Sequence, residues 1–226
     1  MRIENYMEIR EQIREIKQEL RRLMNGATSA SMREKGLDYK VNFGVELPRL
    51  KQLAASYEKN HQLAGELWKE DIRESKILAA LIQPLDTFYP EIADIWVDDI
   101  RTMEIAELTV MNLFQHLDYA PQLSFQWISS EAEFRQVCGF LLIARLLTRK
   151  GDMDERSENE FLDQALSAFL SGSYNVRTSV LRALMKYAAY SEEHAFRLCR
   201  KTDSLKDSTS EQGKALYAWV RNLVSE

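Results

Sequence analysis

The sequence predicts an all-α fold, an α-α superhelical solenoid of the HEAT-like or armadillo type. Three observations lead there. Apolar residues recur at three- and four-residue spacing in one segment after another, and the period-two Val/Ile/Thr alternation of a strand is missing. Glycine and proline are scarce, eight and four in 226 residues, which suits helices joined by short links. A motif also repeats, in which an aromatic closes one helix and an apolar residue plus an arginine opens the next. Trp68 leads to Ile72-Arg73, Trp96 to Ile100-Arg101, Trp127 to Phe134-Arg135 and Phe169 to Val176-Arg177, with arginine separations of 28, 34 and 42 residues. Helix pairs of this size cannot bury their apolar faces alone, so they stack, and their second helices line a concave face.

The elements follow in order within a single domain spanning 1–226. Residues 1–24 form a leading amphipathic helix, with Ile9, Ile13, Ile16, Leu20 and Leu23 on one side. Asn25-Gly26 stops it, and 25–43, rich in Ser, Lys and Gly, is a loop-rich link with a short turn of helix. Helix pairs fill 44–226, beginning with Gly44 as a turn and Pro48 in a helical first turn. Further helices are expected near 61–69, 71–82 and 91–99, the last opened by Pro90. The central segment runs from Ile100 to Leu117, with Thr102 as N-cap and Glu104 in the first turn. A helix to about Ile128 and a strongly apolar one from Ala132 to Thr148 come next. Residues 152–160 are acidic and exposed, a helix then runs to Phe169, and helices at 175–189, 192–201 and 209–224 finish the chain.

Composition bounds the function. The apolar fraction of 45% and charged fraction of 29% are those of an ordinary globular protein. The net charge is −5, without the basic balance typical of nucleic-acid binders. Residues 1–131 hold 16 Lys+Arg against 22 Asp+Glu, whereas 132–226 hold 14 against 13, so an anionic partner suits the C-terminal half better. Cys138 and Cys199 lie in apolar helical patterns as free thiols. His61, His116 and His194 are scattered, so neither a metal nor another cofactor is expected. The N-terminus continues as a charged helix rather than a secretion signal, and no apolar run reaches bilayer length. The expected location is cytoplasmic, with no membrane partner.

On the concave face the second helices would carry Arg73, Lys76, Arg101, Arg135, Arg145, Arg177, Arg182 and Lys186, among them Glu104 and Glu107. Guanidinium groups bind phosphate bidentately, which points to an anionic backbone. For Arg73, Arg101, Arg135 and Arg177 a structural role competes, because equivalent positions can tie each helix to the preceding repeat. Arg145, Arg149 and Lys150 form one basic knot at a helix C-terminus, and Arg197, Arg200 and Lys201 another, where cations also complement the helix dipole. No nucleophile–base pairing, Gly-rich phosphate loop or metal spacing occurs. Any chemistry rests on carboxylate, arginine and aromatic groups, a set adequate for losing an already cationic base from deoxyribose.

Over residues 40–200 the chain resembles the AlkD-type DNA alkylation repair family of HEAT-like alkylpurine glycosylases. Phe43-Gly44-Val45 with Pro48, Leu50 and Leu53-Ala54 is similar to that family's opening. Leu67-Trp68 with Arg73-Glu74 and Leu78-Ala79 is similar to its next segment, and Val176-Arg177, Val180, Ala183-Leu184 and Tyr187 to its late helix. The resemblance implies a DNA-binding concave face with Arg101, Arg135, Arg145, Arg149, Lys150, Arg182 and Lys186, and a pocket of Met103, Glu104 and Trp127. It also implies Glu107 as the catalytic carboxylate. Met103-Glu104-Ile105-Ala106-Glu107 stands where the family carries a WDxVD-like run, so Glu replaces Asp and Met replaces Trp. Arg182 stands where the family carries a second aromatic. The expectation is a divergent member that binds duplex DNA with alkylated bases and excises weakly or not at all. The alternative is a non-enzymatic HEAT scaffold for a protein or peptide partner.

Overall fold

The computed structural model describes residues 2–37 and 39–225. Met1, Asp38 and Glu226, which fall within the leading helix, the expected link and the chain end, lie outside the described residues. Among the described residues there are helices and no strand, apart from an isolated parallel bridge between Val41 and Ile72. The chain adopts the HEAT-like helical repeat fold and divides by its internal contacts into two compact units, 1–96 and 97–226.

The first unit contains α1 (Arg2–Arg22), α2 (Gly26–Glu34), α3 (Leu47–Ala54), α4 (His61–Trp68), α5 (Arg73–Ile82) and the start of α6 (Pro90–Asp98). Ile9, Ile16 and Leu20 of α1 are buried, and α1 packs on α4. Trp68 and Trp96 stack with ring centroids 4.1 Å apart, and Phe88 meets Trp96 edge-on. A buried ion pair organises the entry to α5. Glu74 accepts from the backbone N–H groups of Phe43 (3.1 Å) and Val45 (3.2 Å) and from Arg73 (2.9 Å). Arg73 also donates to the Val45 carbonyl at 3.0 Å.

The structure departs from expectation at 25–43. Residues 26–34 form the nine-residue helix α2, capped by the Asn25 side chain, which accepts from Thr28 N–H at 3.1 Å. Its small Ala and Ser residues carry no broad apolar stripe, so periodicity gives only a short turn where a nine-residue helix forms. Tertiary hydrogen bonds hold it instead, Ser29 Oγ to the Asn42 carbonyl (2.8 Å) and Asn25 N–H to the Phe43 carbonyl (2.9 Å). Gly44, at φ +70, passes so near α2 that an added Cβ would lie 2.3 Å from the Asn25 carbonyl oxygen. Only glycine fits there.

The second unit contains α7 (Met103–Asn112), α8 (Ala120–Ile128), α9 (Glu133–Thr148), α10 (Glu155–Ser171), α11 (Tyr174–Ala188), α12 (Glu192–Thr202) and α13 (Glu211–Ser225). Helix α9 is its centre. It packs against α8 on one side and lies between α7 and α11 in a row of second helices, while α8 and α10 meet in the other layer. Gly139 allows the close approach of α8 and α9. An aromatic chain, Phe140 to Phe161 to Tyr187, ties α9, α10 and α11.

Two boundaries differ from expectation here. The central stretch is not one helix, because α7 ends at Asn112 and a 3-10 turn covers Phe114–His116. The break buries Leu113, Phe114 and Leu117 together, which a continuous helix of that apolar breadth could not do. Residues 155–160 are helical rather than a separate acidic segment. Asp154 caps α10, accepting from Ser157 N–H at 2.7 Å, and Glu158 is buried. Among the described residues no helix is long and apolar enough to cross a membrane.

Candidate functional site

Helices α7, α9 and α11 each turn one face into a shared groove of about 370 Å³. Helix α7 contributes Glu107, Val110 and Met111; α9 contributes Leu141, Ala144, Arg145 and Thr148; α11 contributes Arg182, Met185 and Lys186. Every set is spaced i, i+3, i+4, with Thr148 one turn further, so each is a single helical face. Thr102 starts α7 and thereby sets the phase of Glu107, its Oγ1 accepting from Ile105 N–H at 3.3 Å. At the far end of α9, Lys150 N–H bonds the Leu147 carbonyl (3.0 Å) and Gly151 N–H the Leu146 carbonyl (2.9 Å). With Lys150 at φ +60, this is a Schellman ending that fixes the last turn bearing Arg145 and Thr148.

The floor of the groove is apolar, built from buried Val110, Leu141 and Ala144 with Met111 and Met185 flanking it, and its charges converge on the rim. Arg182 donates to the Glu107 carboxylate, 75 residues away in sequence. Their side chains remain 44% and 40% exposed, so the pair is reachable from solvent. The Nε of Arg145 is buried and has no hydrogen-bond partner among the described residues. Lys186 is exposed and in no ion pair among the described residues. Three cations therefore face one carboxylate over an apolar base, and the groove carries an excess of two positive charges.

Other residues expected at the site serve elsewhere. Trp127 is fully buried, packed edge-on against Phe114 at 5.1 Å, and so belongs to the core rather than a pocket. Its place in α8, the layer opposite the row of second helices, is the reason. Met103 and Glu104 are half-buried on the first turn of α7 and do not line the groove. Arg101 donates to the carbonyls of Asp98 and Ile100 in its own link. Arg135 grips the Asp98 carboxylate with two bonds of 2.5 and 2.6 Å, holding that carboxyl below its ordinary pKa. Arg177 donates to the Gly172 carbonyl at 2.7 Å. With Arg73 buried against Glu74 and Val45, the four repeated arginines all tie helix starts to neighbouring chain.

The basic knots divide. Arg149 donates to the Gln115 carbonyl, bracing the 3-10 turn after α7, and Lys150 is exposed at the helix end. In the other knot Arg197 pairs with Glu158 (2.6 Å) and Glu193 (3.2 Å), and Lys201 with Asp163 (2.6 Å). Lys76 donates to the Trp68 carbonyl at 2.9 Å and lies over the Trp68 ring. Among the described residues no group of His, Cys, Asp or Glu is placed to hold a metal ion. The apolar lining residues Leu141, Ala144 and Met185 escaped sequence reasoning. Their helical offsets from Arg145 and Arg182 were the available signal.

No curated protein matches the chain. A solved protein matches at TM-score 0.76 with 15% identity, covering 92% of this chain and 94% of its own; it is described as belonging to "a new family of proteins related to the HEAT-like repeat DNA glycosylases with affinity for branched DNA structures". That likeness speaks to the fold. The family model for DNA alkylation repair enzymes matches residues 16–197, a span that includes α7, α9 and α11 entirely, and the chain belongs to that DNA alkylation repair family.

Proposed function

We propose that this protein binds nucleic acid along the α7, α9 and α11 face and excises alkylated bases weakly or not at all. The observation that carries the reading is the pairing of Glu107 with Arg182. A glycosylase carboxylate must be free to stabilise oxocarbenium-like charge or to place a water. Here a guanidinium already shares that charge and occupies the space beside it. Arg145 and Lys186 line the same groove and repel a cationic lesion while attracting phosphate. An aromatic cleft would supply cation–π attraction of about 0.5–2 kcal/mol per ring, and among the described residues no aromatic lines this groove. Arg149 and Lys150 extend the cationic rim at the end of α9, and Glu107 is the group on which any surviving excision depends.

The branched-DNA affinity described for the solved relative makes a DNA junction the natural second ligand beside a duplex. The experiment measures binding of a duplex containing 7-methylguanine and of a four-way junction at several salt concentrations, together with base release. The expected result is binding that weakens steeply with salt as counterions are retained, with release near background. Rapid base release abolished in Glu107→Gln would refute the inactive-site reading and establish Glu107 as catalytic. Absence of binding to both DNAs at low salt would refute the nucleic-acid reading in favour of a protein-binding scaffold.

A further inference from the structure

Resting on the nucleic-acid reading, we infer that the groove is a phosphate-binding site in which Glu107 acts as an internal competitor, so that Arg182 exchanges its own carboxylate for a phosphate of the strand. Four observations combine. Arg182 has a carboxylate as its partner, and that pair is solvent-exposed on both sides, so it is displaced at little cost. Arg145 brings a second guanidinium to the groove lining, in no ion pair among the described residues. Lys186 is one helical turn from Arg182 on the same face and is not committed to an ion pair among the described residues. Finally, the groove rests on buried Val110, Leu141 and Ala144, which keep water from below and strengthen charge–phosphate attraction relative to open solvent.

Arginine suits this exchange because the same fork of N–H donors matches carboxylate and phosphate. When Arg182 turns to the phosphate, Glu107 is left beside a bound anion, and their repulsion lowers affinity. Glu107 thus tunes binding downward. This inverts the role of a catalytic or positioning carboxylate, whose removal would weaken function.

The test uses the full-length protein and a fluorescein-labelled four-way DNA junction, read by anisotropy at low salt. Glu107→Gln, nearly isosteric and half-exposed, is expected to tighten binding about two- to fivefold. Arg182→Ala and Arg145→Ala are expected to weaken it and to lower the salt slope by about one each. Thermal unfolding of each variant confirms that it is folded. A junction carrying 5′-phosphates at its free ends, compared with one ending in hydroxyls, separates the two phosphate sources. Preference for the phosphorylated ends supports a terminal monoester in the groove, and equal binding supports a backbone diester. Wild-type binding that Glu107→Gln leaves unchanged or weakens overturns the competitor role while keeping the nucleic-acid reading. No binding by wild type or Glu107→Gln overturns both.

Discussion

Substituting Gly139 tests whether the position of α9, and with it the groove, depends on a backbone close approach. Glycine inside a helix is ordinarily a liability, worth roughly 0.5–1 kcal/mol relative to alanine. On propensity alone Gly139→Ala should stabilise. An alanine Cβ at 139, however, would lie 2.7 Å from Ile128 Cγ2, 2.8 Å from Ile128 N and 2.9 Å from the Ser124 carbonyl oxygen. The last two are backbone atoms of α8, and no rotamer change relieves them. Overpacking of this kind costs about 1–3 kcal/mol, and the backbone contacts place this site in the upper half of that range. The net expectation is a loss of about 1–2 kcal/mol, or a Tm lowered by roughly 2–8 °C for a chain of this length. Gly65 supplies the internal control, since a Cβ there meets nothing within 4 Å; Gly65→Ala should raise Tm slightly. Thermal unfolding followed by circular dichroism reads both. If Gly139→Ala is as stable as wild type or more so, the close packing of α8 on α9 does not constrain that position and the reasoning fails.

Two further predictions follow from ion pairs outside the groove. Glu74→Gln should cost about 3–5 kcal/mol, because it breaks a buried ion pair by removing its carboxylate charge; a Tm fall of less than about 3 °C would contradict that assignment. Asp98 has its carboxyl pKa lowered below 3.8, first by the hydrogen bond from Arg135. Its folded value therefore lies under its unfolded one, so the contribution is present in full above the unfolded value and disappears as pH falls through the folded value. The stability gap between wild type and Asp98→Asn, at most about 1 kcal/mol for so exposed a group, should be constant from neutral pH to about 5 and close at lower pH. A gap that persists at pH 2 would show the pair is not its source.

Much of the architecture was legible because periodicity records burial directly. Helices α4, α9, α11 and α12 fall within a residue or two of where apolar spacing and capping residues place them, and Thr102 caps α7 as its hydroxyl suggests. What escaped was tertiary in origin. Helix α2 has small residues and is held by Asn25, Asn42 and Phe43 rather than by a stripe of its own. The stretch from Ile100 to Leu117 reads as one helix because its apolar residues remain in phase, yet burying Leu113, Phe114 and Leu117 together bends the chain after Asn112. Trp127 enters the expected pocket through the family resemblance alone, whereas the repeat motif, in which the aromatic closes a first helix, already places it in the layer away from the row of second helices. The Glu107–Arg182 pair joins residues 75 apart, and no local pattern encodes such a meeting.

The arginines separate by where their acceptors lie. Arg73, Arg101, Arg135 and Arg177 each find a carbonyl or carboxylate at a helix link, and their repetition follows from the repetition of the link itself. A residue that recurs because the fold recurs says little about function. Arg145 and Lys186 break that pattern, but both sit in the last turn of their helices, where any cation complements the dipole. Arg182 has neither excuse. It stands a full turn earlier in α11, and its partner is a carboxylate from another helix on an open groove. A surface ion pair of that exposure contributes little to stability, so the fold gains little by keeping it. Arg182 is therefore the position at which structural and functional accounts of this groove differ most sharply, and the sign of the Glu107→Gln effect on DNA affinity is what divides them.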